Sequence, residues 1–99
     1  MIYVLTYDIA FDSVDDKKAQ RRLRKLSKVL ENYGWRRQRS IFEFDVDSAV
    51  IHKIEVASKK ILDLKRDSLR IYPLCVKCLK RSVVQGIGEK IELKDFVIV

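Results

Sequence analysis

The chain has 99 residues, with 21 Lys and Arg against 14 Asp and Glu, and a net charge of +7. That length provides one hydrophobic core and leaves no room for two, and a hydrophobic content of 47% excludes a disordered chain. A pI near 9.6 favours an anionic partner, nucleic acid or an acidic surface. No apolar stretch approaches the ~20 residues of a membrane span. The first residues enter strand pattern without a basic n-region or a small-residue cleavage site. A cytoplasmic protein is therefore expected, with no membrane contact and with Cys75 and Cys78 mainly as thiols.

Met1–Ile9 is an apolar run that predicts a first strand over Ile2–Asp8, apolar on both faces as a central strand covered by helices would be. Asp8 breaks that run, and burying an unpaired carboxylate is costly. In a basic protein, an acid at the end of a central strand is a natural ligand for a metal ion facing a phosphate. Phe11–Asp16 predicts a polar loop, with Asp15 and Asp16 suited to a helix N-terminus. Ala19, Leu23, Leu26, Leu30 and Tyr33 make one apolar stripe and predict a helix over 15–33. Lys17, Lys18, Arg21, Arg22, Arg24, Lys25 and Lys28 fill the rest of its surface, and Gly34 is a fitting stop.

Trp35–Val46 alternates between apolar and polar residues, which predicts either one long bent strand or a tight hairpin broken near Ser40. Asp47 and Ser48 offer a cap for a second helix whose stripe is Val50, Ile54, Ala57, Ile61 and Leu64. After a polar turn, Leu69–Val76 predicts a strand, placed at an edge or irregular near Pro73 because proline cannot donate a ladder hydrogen bond. Val83–Gly88 is a weak short strand, and Phe96–Val99 is an apolar tail expected to pair with a sheet edge, that of this chain or of a second subunit. The order predicts an α+β protein, a single ferredoxin-like βαββαβ domain over residues 1–99 with an extra C-terminal strand.

Most catalytic devices are excluded by composition. His52 is the sole histidine, and nothing places it with Ser40 or Ser48 for a Ser-His-Asp arrangement. Gly34, Gly86 and Gly88 lack the spacing of a phosphate loop. Cys75 and Cys78 supply two of the four ligands a structural zinc wants, with a zinc shared across a dimer as the alternative, and they follow a strand with Pro73 inside it, whereas a redox pair needs a strand-to-helix position. They read as buried packing plus an exposed thiol. The acids remain. Magnesium or manganese takes carboxylate and water, and such an ion activates water for phosphodiester hydrolysis. Asp8 alone is a thin site, and two copies related by a twofold axis would make a better one; Asp12, Asp15 and Asp16 are further candidates, more simply read as capping and surface acids. In Trp35–Ser40, Arg and Ser suit phosphate contact and the aromatic suits stacking.

Four features, in order, resemble a known family. They are the strand ending Tyr7-Asp8-Ile9, the Arg-rich helix ending Tyr33-Gly34, the segment Gln38-Arg39-Ser40-Ile41-Phe42-Glu43, and the segment Asp67–Cys75 with Cys78 beyond it. Together they resemble the small CRISPR-associated endoribonuclease or endonuclease family that partners the integrase in spacer acquisition. The resemblance implies a ferredoxin-like homodimer in which two copies of Asp8 hold magnesium (manganese as the alternative) across the interface. It implies that Tyr7, Ser40 and Phe42 neighbour and shape that catalytic site, and that Arg21, Arg22, Arg37 and Arg39 contact phosphate. Cleavage of single-stranded RNA or duplex DNA is implied, in antiviral spacer acquisition. The alternative is a non-catalytic dimer that holds duplex DNA and bridges integrase subunits. A plain RNA-binding module ranks third, because the first strand is too apolar to carry a clear stacking pair. The loop from Ala10 to Asp16 is longer and more acidic than the family form, which leaves open whether an acid there assists Asp8.

Overall fold

The structure is a computed structural model that describes residues 1–86. In chain order it contains β1 (Ile2–Asp8), α1 (Lys17–Glu31), β2 (Trp35–Gln38), β3 (Ile41–Asp45), α2 (Ser48–Ile61), β4 (Ser68–Leu74) and α3 (Val76–Lys80). The strands form one sheet in the order β2-β3-β1-β4, with antiparallel neighbours throughout. This is the ferredoxin-like arrangement that the order of elements predicts.

Strand alternation decides what each face carries. Leu5 pairs with Phe42 and Ile71, and Tyr3 pairs with Phe44 and Pro73, so these side chains share one face. That face packs on both long helices: Leu5, Tyr7, Ile9, Phe42 and Phe44 form one core with Ala19, Leu26 and Leu30 of α1 and Ile51 and Ile54 of α2. The other face carries Val4, Thr6 and Asp8 of β1 and, among the described residues, is covered only at one end, where Ile2 and Leu74 meet Leu79 of α3. The expectation of a first strand sandwiched between helices is therefore corrected. Val4 and Thr6 are half-buried and Asp8 is exposed, because α1 and α2 lie on the same side.

The helix boundaries have local causes. Asp16 caps α1 by accepting from the Ala19 N–H at 3.1 Å, so α1 starts at Lys17 and leaves Asp15 in the loop. Asp47 caps α2 by accepting from the Val50 N–H at 2.9 Å. Tyr33 and Leu64 fall beyond the helices and are exposed, so the buried stripes are shorter than the periodicity suggests. Trp35–Val46 resolves as the hairpin, with Arg39 and Ser40 as its two-residue turn and a register shift between Arg36 and Gln38. Pro73 sits on β4, which is an edge strand. That strand stops at Leu74, not Val76, because Cys75 caps α3. Val83–Gly86 is not strand. Residues 87–88 and Phe96–Val99 lie outside the described residues.

α1 ends earlier than the stop expected at Gly34, with Asn32 as its C-cap, and Gly86 is the one positive-φ glycine among the described residues. Gly34 is required by proximity instead. A Cβ there would collide with the Phe44 ring and with the Glu43 carbonyl oxygen. The Phe44 side chain is fully buried, and the carbonyl belongs to β3, so neither can step aside cheaply. Gly34→Ala is expected to cost about 1–3 kcal/mol, in the range of overpacked cores, read as a lowered urea midpoint with an unchanged slope.

Candidate metal and nucleic-acid site

Asp8 is the last residue of β1 and stands opposite Ser68 of β4. Tyr3, Leu5 and Tyr7 of β1 point to the helix-packed core, so position 8 lies on the opposite face, and its side chain is exposed. The desolvation cost that makes a buried acid costly is thereby avoided. Among the described residues the Asp8 carboxylate has no hydrogen-bond or ion-pair partner. It is available to a ligand from the open face.

Tyr7 and Phe42, expected in the catalytic site, lie beneath the sheet. Tyr7 is 6% exposed and Phe42 is 0% exposed, and their ring centroids are 6.4 Å apart. Neither ring reaches the Asp8 face, so neither is placed to touch a ligand bound there. The Tyr7 hydroxyl donates to the Arg39 carbonyl at 2.8 Å, and the Tyr7 N–H donates to the Ser40 carbonyl at 3.1 Å. These two bonds fasten the β2–β3 turn to β1 at the residue before Asp8. Ser40 is thus brought to this end of the sheet.

The chain beyond β1 is held by a clamp that sequence reasoning missed. Asp67 has a fully buried side chain and accepts from the Ala10 N–H at 2.9 Å, from the Asp63 N–H at 2.9 Å and from the Arg22 guanidinium at 2.8 Å. Arg22 also donates to the Ala10 carbonyl at 3.1 Å. Burial by itself pushes the Asp67 carboxyl up; the two backbone N–H groups and Arg22 outweigh it and hold it below the ordinary value. The only sequence signal was an acid in a polar turn before a strand, which does not reveal a partner 45 positions away.

Two of the other loop acids, Asp12 and Asp16, are also engaged. Asp12 pairs with Arg66, and Asp16 accepts from the Ala19 and Asp12 N–H groups, which hold its carboxyl below the ordinary value. Asp15 is exposed. No group of three or more His, Cys, Asp or Glu side chains that could hold a metal ion occurs among the described residues. One chain therefore offers Asp8 at the strand end and the exposed Asp15 in the following loop as carboxylates without a partner among the described residues. That donor set fits a hard ion that keeps its waters and takes one or two carboxylates plus substrate phosphate.

The four arginines expected to contact phosphate have different surroundings. Arg21 and Arg39 are exposed. Arg37 pairs with Glu43 at 2.6 Å and lies over the Trp35 ring, 5.9 Å from its centroid. Arg22 is committed to the clamp. On the helix side of the sheet, a 490 Å³ cleft is lined by Tyr7, Leu23, Arg24, Ser27, Lys28, Glu31, Arg36 and Arg39. It collects four cations against one acid, and Asp8 does not line it. His52 is exposed on α2, away from any catalytic grouping.

The model of the family described as CRISPR associated protein Cas2 matches residues 1–82. The chain belongs to that family. It is similar to the CRISPR-associated endonuclease Cas2 of Halalkalibacterium halodurans, 38% identical over 100 residues and 99% of each chain. A CRISPR-associated endoribonuclease Cas2 of Chloroflexus aurantiacus is 41% identical over 88 residues, 89% of this chain and 86% of the relative. The crystal structure of Streptococcus pyogenes Cas2 matches with a TM-score of 0.73 and 32% identity, covering 87% of this chain and all of that one. The family match spans every element described above, from β1 through α3. Among the described residues no helix is long and apolar enough to cross a membrane.

Proposed function

We propose that the protein is a metal-dependent endonuclease acting on RNA or duplex DNA in CRISPR spacer acquisition, with Asp8 as its metal ligand. The observation that carries this reading is the Asp8 carboxylate, exposed at the end of β1 and without a protein partner among the described residues. The nuclease names of the relatives support it. A single carboxylate is a sparse site, and a twofold homodimer that brings two copies of Asp8 together would complete it. Magnesium, or manganese in its place, would there lower the pKa of bound water and neutralise charge developing on the phosphate.

The chain's own residues do the rest. Asp8 binds and orients. Tyr7 and the Ser40 carbonyl hold the turn beside it, and the Arg22–Asp67 clamp fixes Ala10 two residues beyond it. Arg21 and Arg39 would take the nucleic-acid backbone, with Arg37 nearer the Glu43 carboxylate. Backbone contacts carry no sequence information, so cleavage would be weakly sequence-selective. The same dimer would present duplex DNA to the integrase. An exposed edge strand, β4, gives the adaptor alternative its own support, since such an edge is a ready surface for another chain.

The test is cleavage of single-stranded RNA and duplex DNA by highly purified protein, with magnesium and with chelator, wild type beside Asp8→Asn. Cleavage that survives the substitution or the chelator removes the metal-dependent reading and leaves the adaptor. The phosphate contacts are tested separately. Arg39→Ala should weaken duplex binding about equally for unrelated sequences. It should also flatten the dependence of log K on log salt by about one, the share of a single phosphate that is no longer neutralised. An unchanged salt slope would take Arg39 out of the interface.

A further inference from the structure

Cys75 and Cys78 are left without a role by everything above. The structure corrects the expectation of packing plus one exposed thiol: both residues are exposed. It also corrects their placement, because β4 ends at Leu74, Cys75 is the N-cap of α3 and Cys78 lies in its first turn. The two sulfurs are 3.0 Å apart, and the Cys78 N–H donates to the Cys75 sulfur at 3.3 Å. The covalent S–S distance is about 2.0 Å, so bond formation needs an approach of about 1 Å, within reach of side-chain rotation. The frame around them is fixed. The Leu79 N–H donates to the Cys75 carbonyl at 3.0 Å, and Leu79 is buried against Ile2 and Leu74. Leu79 does the packing of this turn, so the core does not account for the cysteines. Nor does a metal cage, since no third ligating side chain joins them among the described residues and a closed structural site takes four.

We propose that Cys75 and Cys78 form a thiol–disulfide exchange site that reacts with low-molecular-weight disulfides and closes to an intramolecular disulfide. In the first step the Cys75 thiolate attacks one sulfur of the disulfide; the S–S bond of that molecule breaks, a mixed disulfide forms on Cys75, and one thiolate leaves and takes up a proton. In the second step Cys78 loses its proton and attacks the Cys75 sulfur; the protein disulfide forms and the second thiolate leaves, protonated in turn. Two protein thiols are oxidised, and one disulfide is reduced to two thiols. The asymmetry of the roles has a physical cause. The Cys78 thiol and the Cys78 N–H both stabilise the Cys75 thiolate and lower its pKa, while the hydrogen bond to Cys75 and then its charge push the Cys78 thiol up. The pair lies at the Leu74 end of β4, whereas Asp8 faces Ser68 at the other end, so the site is separate from the proposed metal centre.

Oxidised glutathione, added to the reduced full-length chain under native conditions and followed by intact mass after acid quench, tests this. The wild type is expected to lose two hydrogens and to retain no adduct. Cys78→Ser, which keeps the attacking thiol but not the resolving one, is expected to accumulate one glutathione adduct. Cys75→Ser should acquire its adduct at least about threefold more slowly, because the better-stabilised thiolate is gone. The proposal is overturned if the wild type retains glutathione adducts without closing. Disulfide-linked pairs of chains, or a wild type that stays reduced until denatured, would overturn it equally. The wild-type measurement needs no variant, so it stands even if a serine substitution impairs folding.

Discussion

Asp8→Asn is expected to abolish metal-dependent cleavage while leaving the fold intact. The two halves of that expectation have separate grounds. Neutralising the carboxylate removes one charged metal ligand from each copy of the chain, hence both from a twofold site. Metal charge stabilisation and water activation are worth several kcal/mol in the transition state, and each 1.36 kcal/mol is a factor of ten. A fall of about a hundredfold or more in rate follows. Stability should barely respond. Asp8 is exposed at a strand end and its side chain supports no hydrogen bond or ion pair among the described residues, and such substitutions stay within about 0.5 kcal/mol. Thermal melts of wild type and variant should therefore overlay while their cleavage time courses diverge. A variant that cuts as well as wild type assigns the activity to another site or to a contaminant. A variant that melts early shows instead that Asp8 belongs to the fold.

Asp8 stood out as a candidate because it interrupts an apolar run, but the premise of burial was wrong, since its side chain is exposed. An apolar strand does not announce whether helices cover one face or two. Tyr3, Val4 and Leu5 look alike in sequence, and only the register with β3 and β4 separates the core face from the open one. The hairpin in Trp35–Val46 was available as one of two readings because Arg39 and Ser40 interrupt the alternation without a Gly or Pro to mark the turn. The end of β4 was misplaced for a related reason: Leu74, Cys75 and Val76 continue an apolar run, and the change to helix depends on the Cys75 cap. Arg22 shows the opposite difficulty. Its neighbours on α1 are cations on a solvated face, and nothing local distinguishes it from Arg21. The partner that does so lies on a turn after α2. Local periodicity locates elements, while commitments between distant side chains appear only when the elements are packed.

That clamp gives the second large expected effect, and it makes an isosteric substitution a severe one. Both carboxylate oxygens of Asp67 accept from backbone N–H groups, Oδ1 from Ala10 and Oδ2 from Asp63, with Arg22 donating on the same side chain. An asparagine has one acceptor oxygen and one donor nitrogen. Whichever way its amide turns, it sets an NH2 against a backbone N–H and leaves the Arg22 guanidinium without a counter-charge. Breaking a buried pair by removing one partner costs about 3–5 kcal/mol; the Arg22 side chain keeps 16% of its exposure, which places the expected loss near the lower end. For a domain of this size about 3 kcal/mol corresponds to a melting temperature lower by on the order of 15 °C. Acid should reveal the same contact. The folded Asp67 carboxyl is held below its ordinary value of 3.8, so its contribution is fully present above about pH 4 and is lost as the pH falls through the lower folded value. Wild type should therefore lose stability below about pH 4 more steeply than Asp67→Asn, and the gap between them should narrow there. A gap that stays constant across that range, or a neutral substitution at pH 7, would show that the clamp contributes nothing. The effect should also reach the proposed active site. Ala10 gives both its N–H and its carbonyl to this clamp, two residues beyond Asp8. Releasing it frees the chain that leaves the proposed metal ligand, so cleavage by Asp67→Asn should fall even at temperatures where the variant is still folded.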